Sequence, residues 1–350
     1  MSTQVIDLPP RAPALTFASR GPVSELVLSA LLSGEAEAGQ LAAAGREALA
    51  ASQDVVDDDD VQLALFVLYA LSYGSLGRRG AALEFDPGLL ALRAMLEEAF
   101  EAALRERVEV PALPAAQAPA VAKALFELTL EPGPPALARF VARRATLEQL
   151  RELVVHRTIY TLREADPHSW AIPRLSGRAK AALVEIQSDE YGGGNHERMH
   201  ASLFRSTVRG MGLDERYAAY VDKVPALTLA SHNLMSMFGI NGRLLGAIVG
   251  HLAAFEMTSS IPSRFHAEGF RRHGFGEDVT FYFDEHVEAD AVHEQIAAHE
   301  LAGSLAEDEP ELLGDIMFGA AACLALDSWS GEQILADWKA GRSSLRERLA

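Results

Sequence analysis

Residues 283–293 read Phe-Asp-Glu-His-Val-Glu-Ala-Asp-Ala-Val-His. On a helix, which turns about 100° per residue, His286, Asp290 and His293 fall within a sector of about 60°. This face can present two imidazoles and a carboxylate to one centre. The alternative interpretation is the solvated face of an acidic helix, so the pattern needs support from the rest of the chain.

A second stretch, residues 185–200, reads Glu-Ile-Gln-Ser-Asp-Glu-Tyr-Gly-Gly-Gly-Asn-His-Glu-Arg-Met-His. Each glycine inside a helix costs about 1 kcal/mol relative to alanine, so three in a row indicate an unusual backbone. Glu190 and His200 are ten residues apart and would lie on different faces of a regular helix. A glycine bulge would reduce their effective spacing to seven and bring them together. Asp189 and His196 already have that spacing and form a competing pair.

A glycine-rich phosphate loop is the other interpretation of residues 192–194. Such loops follow a strand and precede a lysine. Here no strand pattern precedes the glycines and no lysine follows them. The sequence therefore disfavours phosphate binding at this position.

Two further carboxylates interrupt otherwise apolar or helical patterns. Glu256 lies in the apolar run 253–258, where a buried acid is costly unless it is paired or bound to a metal. Glu164 comes shortly before Pro167. A hydrogen-bonded core acid would also explain Glu256, and an exposed helix end would also explain Glu164.

The donor types decide which metal suits these residues. Cys323 is the only cysteine, so no thiolate-rich site can form within one chain. Histidine and carboxylate ligands without thiolates favour non-haem iron. The sequence thus predicts iron as the metal if a metal is bound.

Helical periodicity extends over most of the chain and predicts an all-α fold. No alternating strand of convincing length appears. Beyond residue 139, the predicted helices cover 147–165, 178–213 with an interruption, 214–221, 227–238, 243–271, 280–306 and 310–329. The acidic run 57–60 is predicted to cap the helix that follows it.

Proline-rich stretches divide the chain. Residues 1–20 are predicted to be a flexible tail. Of the two later stretches, 110–119 and 131–135, the second is the better boundary because Pro-Gly-Pro-Pro cannot continue a helix. We therefore expect an N-terminal helical domain at 21–138 and a second domain at 139–350.

Composition excludes several classes of function. The chain has 350 residues, 49% of them hydrophobic and 23% charged, which is the balance of a globular protein. Its formal net charge of −18 disfavours binding to nucleic acid and to anionic membranes. Since no charge-free apolar run reaches about 18 residues and the start does not resemble a signal peptide, we expect a cytoplasmic protein with no membrane partner.

Taken together, these residues resemble the haem-oxygenase-like diiron oxidase superfamily, whose members are often called iron-containing redox enzymes. The resemblance covers roughly residues 145–330 and implies a haem-oxygenase-like helical bundle. Matched residue by residue, the family's metal ligands fall on Glu164, Glu190, His200, Glu256, His286, Asp290 and His293.

The sequence is most similar to the N-oxygenase branch of this superfamily, which includes the central domain of the N-nitrosourea-forming enzyme of streptozotocin biosynthesis. The shared Asp-Glu-Tyr-Gly-Gly-Gly stretch and the long Glu-to-His gap favour Glu190 and His200 over the competing pair. The branch also implies that residues 21–138 are a dimerisation region and that the protein is a homodimer. The streptozotocin enzyme continues into a C-terminal cupin, whereas this chain stops at Ala350, so we expect the nitroso-forming rearrangement to be absent.

The resemblance implies two Fe(II) ions per chain, O2 as co-substrate, an external electron donor and a small-molecule amine or amino-acid substrate. N-oxygenation of an amine or guanidine in specialised metabolism is the expected reaction. Oxidative C–C cleavage, decarboxylation or desaturation by a diiron oxidase is the alternative within the superfamily. A helical scaffold with a structural metal is the alternative outside it, and a true haem oxygenase would leave six of the seven residues unexplained.

No catalytic residue is predicted beyond the metal ligands. Trp170, Tyr191 and Phe255 lie beside proposed ligands in the sequence and are predicted to line a substrate pocket. The remaining histidines that lack a matching ligand partner are assigned to core or surface positions: His156, His168, His232, His251, His266, His273 and His299.

Overall fold

The computed structural model describes residues 17–130 and 136–349, without the side chains of 77–79 and 288–291. Within these residues the structure is helical and has no strand, which confirms the all-α prediction. The predicted flexible tail lies outside the described residues except at 17–20, and so does the proline-rich stretch 131–135.

Among the residues that the structure describes, the N-terminal part contains six α-helices. They are α1 (Pro22–Ser33), α2 (Ala38–Ala51), α3 (Asp59–Ser72), α4 (Gly77–Leu83), α5 (Pro87–Arg107) and α6 (Ala118–Leu130).

The C-terminal part contains ten more. They are α7 (Ala136–Arg143), α8 (Leu147–Arg157), α9 (Asp166–Ser169), α10 (Gly177–Glu190), α11 (His200–Gly210), α12 (Ala226–Ile240), α13 (Leu245–Arg272), α14 (Glu277–Gln295), α15 (Ser304–Asp308) and α16 (Leu313–Lys339). A π-helix (Ile296–Gly303) joins α14 to α15, so the predicted helix 280–306 changes its hydrogen-bond register just after His293.

The acidic run caps helices, as predicted. The Asp58 carboxylate accepts hydrogen bonds from the backbone N–H groups of Asp60 and Val61 at the start of α3. The Asp60 carboxylate accepts from those of Val23 and Ser24 at the start of α1. One acidic run thus stabilises two helix N-termini.

The glycine stretch does not form the predicted bulge. α10 ends at Glu190, two short 3₁₀ turns follow, and α11 begins at His200. Gly192, Gly193 and Gly194 all have positive φ angles of 60–82°, a region that other residues rarely adopt. A Cβ on Gly192 would also lie 2.6 Å from the backbone of Arg198. The chain therefore breaks and restarts here, and the break sets the directions of α10 and α11.

The predicted helix 214–221 is also wrong. These residues form turns that end in a 3₁₀ segment, Val221–Lys223. The Asp214 side chain accepts from the backbone N–H of Arg216, and Ala218 has a positive φ of 63°. A short aspartate side chain that binds nearby backbone favours a turn over a helix.

α13 and α16 cross in close contact at the centre of the C-terminal part. A Cβ added at Gly250 would collide with the backbone carbonyl of Ile316, and one at Gly319 would collide with that of Ala247. Both helices are long and apolar enough to span a membrane by length and composition, over Gly242–Arg272 and Pro310–Lys339. Burial within the protein covers 67% and 56% of their apolar windows, so this surface mainly forms the core.

The hydrophobic core runs across the expected domain boundary at 138/139. One cluster of buried residues includes Val67 and Leu96 from the N-terminal part and Leu234 and Phe318 from the C-terminal part. α3 is tied to α12 because the buried Asn233 side chain donates to the backbone carbonyl of Gln62. The division into domains stays a prediction, but the two parts share apolar packing.

Candidate metal centre

A first group of three potential ligands comes from separate segments. Glu164 follows a 3₁₀ turn, His200 is the first residue of α11, and His286 lies in α14. Their ligand atoms lie within 4.8 Å of one another. Ala165, with φ 74°, holds the backbone in a strained turn directly after Glu164. We call these three residues the first ligand group.

A second group lies beside it and is fully buried. Glu190 ends α10, Glu256 lies in the middle of α13, and His293 is in α14, seven residues after His286. Their ligand atoms also lie within 4.8 Å of one another. We call them the second ligand group. The two groups share α14, which supplies a histidine to each.

The distances between these atoms suit shared metal ions. His200 Nδ1 lies 3.0 Å from Glu190 Oε2, and this contact joins the two groups. His293 Nδ1 lies 3.3 Å from Glu256 Oε2. Two ligands at right angles around a metal, each about 2.1 Å away, are about 3 Å apart.

Three of the converging atoms have no hydrogen bond of acceptable geometry. They are Glu190 Oε2, His200 Nδ1 and His293 Nδ1, all buried. Buried polar atoms nearly always have partners, and an exception needs a reason. Nitrogen and oxygen donors that converge without partners fit a metal of the iron type.

Neighbouring groups orient the ligands. The Tyr282 hydroxyl lies 2.8 and 2.9 Å from the two oxygens of Glu164 and donates to this carboxylate. His286 Nδ1 lies 2.7 Å from the Tyr282 backbone carbonyl and donates to it, which leaves Nε2 facing Glu164. His293 Nε2 lies 3.0 Å from Asp189 Oδ2, which leaves Nδ1 facing Glu256. Such supporting contacts fix the tautomer and direction of metal-binding histidines.

The pKa shifts in the two ligand groups indicate too little positive charge to balance their carboxylates. Burial, together with the charge of Glu190, raises the pKa of Glu164 to about 8. Burial lowers the pKa values of His200 and His293, but adjacent carboxylates outweigh it and raise both to about 9. Without metal, the cluster thus holds protons where cations would otherwise balance the acids.

His286 and Glu190 behave differently. Burial and the charge of His200 lower the pKa of His286 to about 4, so its imidazole is neutral. Burial raises the pKa of Glu190, but the charge of the adjacent His200, with that of His293, outweighs it and leaves the net pKa lowered. A neutral imidazole and an ionised carboxylate are the forms that bind metals.

The structure brings together six of the seven residues proposed as ligands. The exception is Asp290, whose side chain lies outside the described residues. Of the two competing pairs, Glu190 and His200 meet, whereas Asp189 contacts His293 and His196 is exposed. That these residues bind metal stays a prediction.

Sequence reasoning missed Tyr282 and Asp189 as supporting residues. Tyr282 lies one helical turn before His286, a spacing that places both on one face of α14. Asp189 adjoins Glu190 and had been considered only as a rival ligand. Its contact with His293 spans 104 residues, so no local pattern predicts it.

A narrow pocket adjoins the cluster. Glu164, Glu190 and Glu256 line one side, and the remaining wall includes Tyr160, Arg163, His168, Gln187, Met235, Leu252 and Phe255. Of the three predicted pocket residues, Phe255 therefore lines it. Trp170 instead packs near Tyr73, and the Tyr191 hydroxyl donates to Asp166.

The other histidines have contacts of their own among the described residues. His156 is bonded to Thr228 and Ser344, and His273 contacts the Ala145 carbonyl. His168 and His251 form a buried pair with ring nitrogens 3.1 Å apart. His168 also lines the pocket, so it borders the candidate site as well as the core.

Comparison with known proteins identifies the family. The profile of the iron-containing redox enzyme family matches residues 151–328, about half of the chain, and this range includes all six clustered residues. The chain is 30% identical over 147 residues to the nitrosourea synthase of Streptomyces achromogenes subsp. streptozoticus. That match covers 42% of this chain and 31% of the relative, so less than a third of the relative is represented. By its fold, its site and this match, the chain belongs to the haem-oxygenase-like family of iron-containing redox enzymes.

Proposed function

We propose that the protein is a non-haem diiron oxygenase that uses O2 to N-oxygenate an amine or guanidine of an amino-acid-like substrate. The observation that carries this proposal is the pair of adjacent ligand groups, joined where Glu190 approaches His200 at 3.0 Å. One group would hold each Fe(II), and Glu190 lies where the two groups meet. Iron, when bound, supplies the activation of O2 and the oxidation chemistry.

The chain's own residues hold and shield the centre. Tyr282 fixes Glu164, and Asp189 fixes the ring of His293. Met235, Leu252 and Phe255 form an apolar wall that limits access of water from that side. These contacts keep the ligands in place and confine the reaction to the pocket.

Two observations favour nitrogen as the oxidised atom. The relative that matches this chain is named nitrosourea synthase, a name that indicates nitrogen chemistry in that protein. Three carboxylates, those of Glu164, Glu190 and Glu256, line the pocket, and carboxylates attract cations such as protonated amines and guanidines.

The test is the mass of the product. Iron-loaded protein is supplied with O2, a reductant and a panel of basic amino acids, and products are measured by mass spectrometry. A gain of 16 or 32 mass units, located on nitrogen by fragmentation, is expected. Loss of CO2 or of a carbon fragment would instead assign the protein to the C–C cleaving and decarboxylating oxidases. The same protein stripped of iron is the control.

The electron donor and the assembly complete the proposal. We propose that an external protein or small-molecule reductant supplies electrons, and that the chain is a homodimer through its N-terminal helices. Sedimentation of the full chain tests the second point, with a mass twice 37.7 kDa expected.

A further inference from the structure

One buried amide in the pocket has an oxygen without a partner. Gln187 is 3% exposed and lies one helical turn before Glu190 on α10, so both side chains project to the same side. It lines the pocket together with Glu164 and Glu256. Its Oε1 is buried and has no hydrogen bond.

The surrounding network fixes which atom of the amide remains free. Gln187 Nε2 donates to the Ala165 backbone carbonyl at 2.8 Å and to the Ser169 hydroxyl at 2.7 Å. A carbonyl can only accept, so a flipped amide would place two oxygens against each other. Both N–H groups are therefore used, and the oxygen is left over.

The hydrogen bonds beyond Ser169 support the same orientation of the Gln187 amide. The Tyr191 hydroxyl donates to Asp166 at 2.9 Å, so the Ser169 hydroxyl, 2.9 Å from that oxygen, donates to Tyr191. Ser169 must then accept from Gln187. Asp166, at the end of this chain, is held by Arg163 at 3.0 Å. The direction of every hydrogen bond is determined, and it leaves Gln187 Oε1 as an acceptor.

We propose that Gln187 Oε1 binds an N–H group of the substrate and that this contact selects amines and guanidines. The pocket that Gln187 lines has about 10 Å³ of free space, roughly one water-sized site, so it admits only the nitrogen terminus of a larger molecule. The inference rests on the proposed function in one respect only, namely that the bound nitrogen is the atom that is oxidised.

The test measures binding without turnover. Iron-loaded protein is titrated calorimetrically without O2, at constant ionic strength, with methylguanidinium, which has N–H donors. Gln187→Met keeps the approximate volume of the side chain and removes the acceptor together with both N–H donors, whereas Gln187→Glu removes the donors and keeps an acceptor oxygen. Methylguanidinium should bind about tenfold more weakly to Gln187→Met, the loss typical of one hydrogen bond, and at least as tightly to Gln187→Glu as to the wild type.

Asn233 provides a matched control. It is another buried amide, with its nitrogen bonded to Gln62 and its oxygen unpartnered, but it does not line the pocket. Asn233→Leu should leave methylguanidinium binding unchanged. If Gln187→Met does not fold, as judged by its melting curve, Gln187→Asn is the second variant. It shortens the side chain by one methylene, which moves the oxygen away from the pocket, and it should weaken the binding of methylguanidinium.

Three outcomes would overturn the inference. They are no binding of methylguanidinium to the wild type, equal binding to the wild type and to Gln187→Met, and equal losses for Gln187→Met and Gln187→Glu. Because no product is formed, the result is independent of the mass test for N-oxygenation: Gln187 can bind an N–H group in an enzyme that oxidises carbon.

Discussion

The two ligand groups differ in what holds them in place. In the first, both oxygens of Glu164 accept from Tyr282, whose side chain is buried, and His286 is anchored to the backbone of that tyrosine. In the second, His293 is oriented by Asp189, whose side chain is 63% exposed. The first group is therefore supported from the core and the second from the surface.

Two adjacent metal positions therefore need not be equally stable. A support that is buried cannot be replaced by water, whereas water can substitute for an exposed carboxylate. Metal binding at the second group should thus depend less on its supporting residue, Asp189, than metal binding at the first group depends on Tyr282. The following predictions test this contrast, beginning with the largest effect.

Removing a histidine ligand should have the largest effect. His286→Ala and His293→Ala should each lose one equivalent of iron and reduce oxygen consumption by more than the ~100-fold typical of losing a supporting residue. Both proteins should stay soluble. Iron content and oxygen-electrode rates measure this, with His299→Ala on the adjacent π-helix as a control that should keep its iron. Full activity of either variant would remove that histidine from the ligand set.

Removing the supporting residues should separate the two groups. Tyr282→Phe deletes the hydroxyl that satisfies Glu164 and should weaken iron binding at the first group by about 10- to 100-fold. Asp189→Ala should weaken the second group by about tenfold or less, because water can accept from His293 instead. Competition with a chelator gives both affinities. The reverse order would contradict the contrast between core and surface support.

Metal removal should make stability depend on pH. The raised pKa values of His200 and His293, about 9 against an ordinary 6.5, mean that their contribution is complete below pH 6.5 and lost as the pH rises through 9. Glu164 is neutral when folded up to a pKa of about 8, so its contribution is lost between pH 4.5 and 8.

The metal-free protein should therefore lose melting temperature between pH 6.5 and 9, by about 2–4 °C or less for each kcal/mol lost. The metal-loaded protein, with cations in place of these protons, should lose less. Calorimetry under argon compares the two, with manganese as a stand-in that does not react with O2. If the melting temperatures of the metal-free and metal-loaded proteins changed in parallel with pH, His200, His293 and Glu164 would hold no extra protons without metal.

The smallest effect should come from a residue that supports neither group. Asp58→Ala removes the cap of α3 and should cost about 1 kcal/mol of unfolding free energy. Iron stoichiometry should stay unchanged. Chemical denaturation and metal analysis check this. Loss of iron in this variant would show that the centre responds to general destabilisation, which would weaken the interpretation of the other variants.

The fold class and the two histidines of α14 were predictable from local patterns. Helical periodicity predicted the all-α fold, and the spacing of His286 and His293 placed both on one face of α14. The choice of Glu190 and His200 needed the family resemblance, because their ten-residue spacing alone left Asp189 and His196 as rivals. Local spacing also misjudged 214–221, where Asp214 forms a turn.

Periodicity and composition were sufficient for the all-α class, the donor types and the absence of thiolate ligands other than Cys323. Which residues support the ligands followed from the packing of the helices. Tyr282 donates a hydrogen bond to Glu164, which lies 118 residues away along the chain. Gln187 Nε2 donates to the backbone carbonyl of Ala165, 22 residues away, and this bond sets the orientation of the amide that leaves the oxygen without a partner. Such contacts depend on how helices pack, and packing brings together residues whose distance along the chain carries no periodic signal.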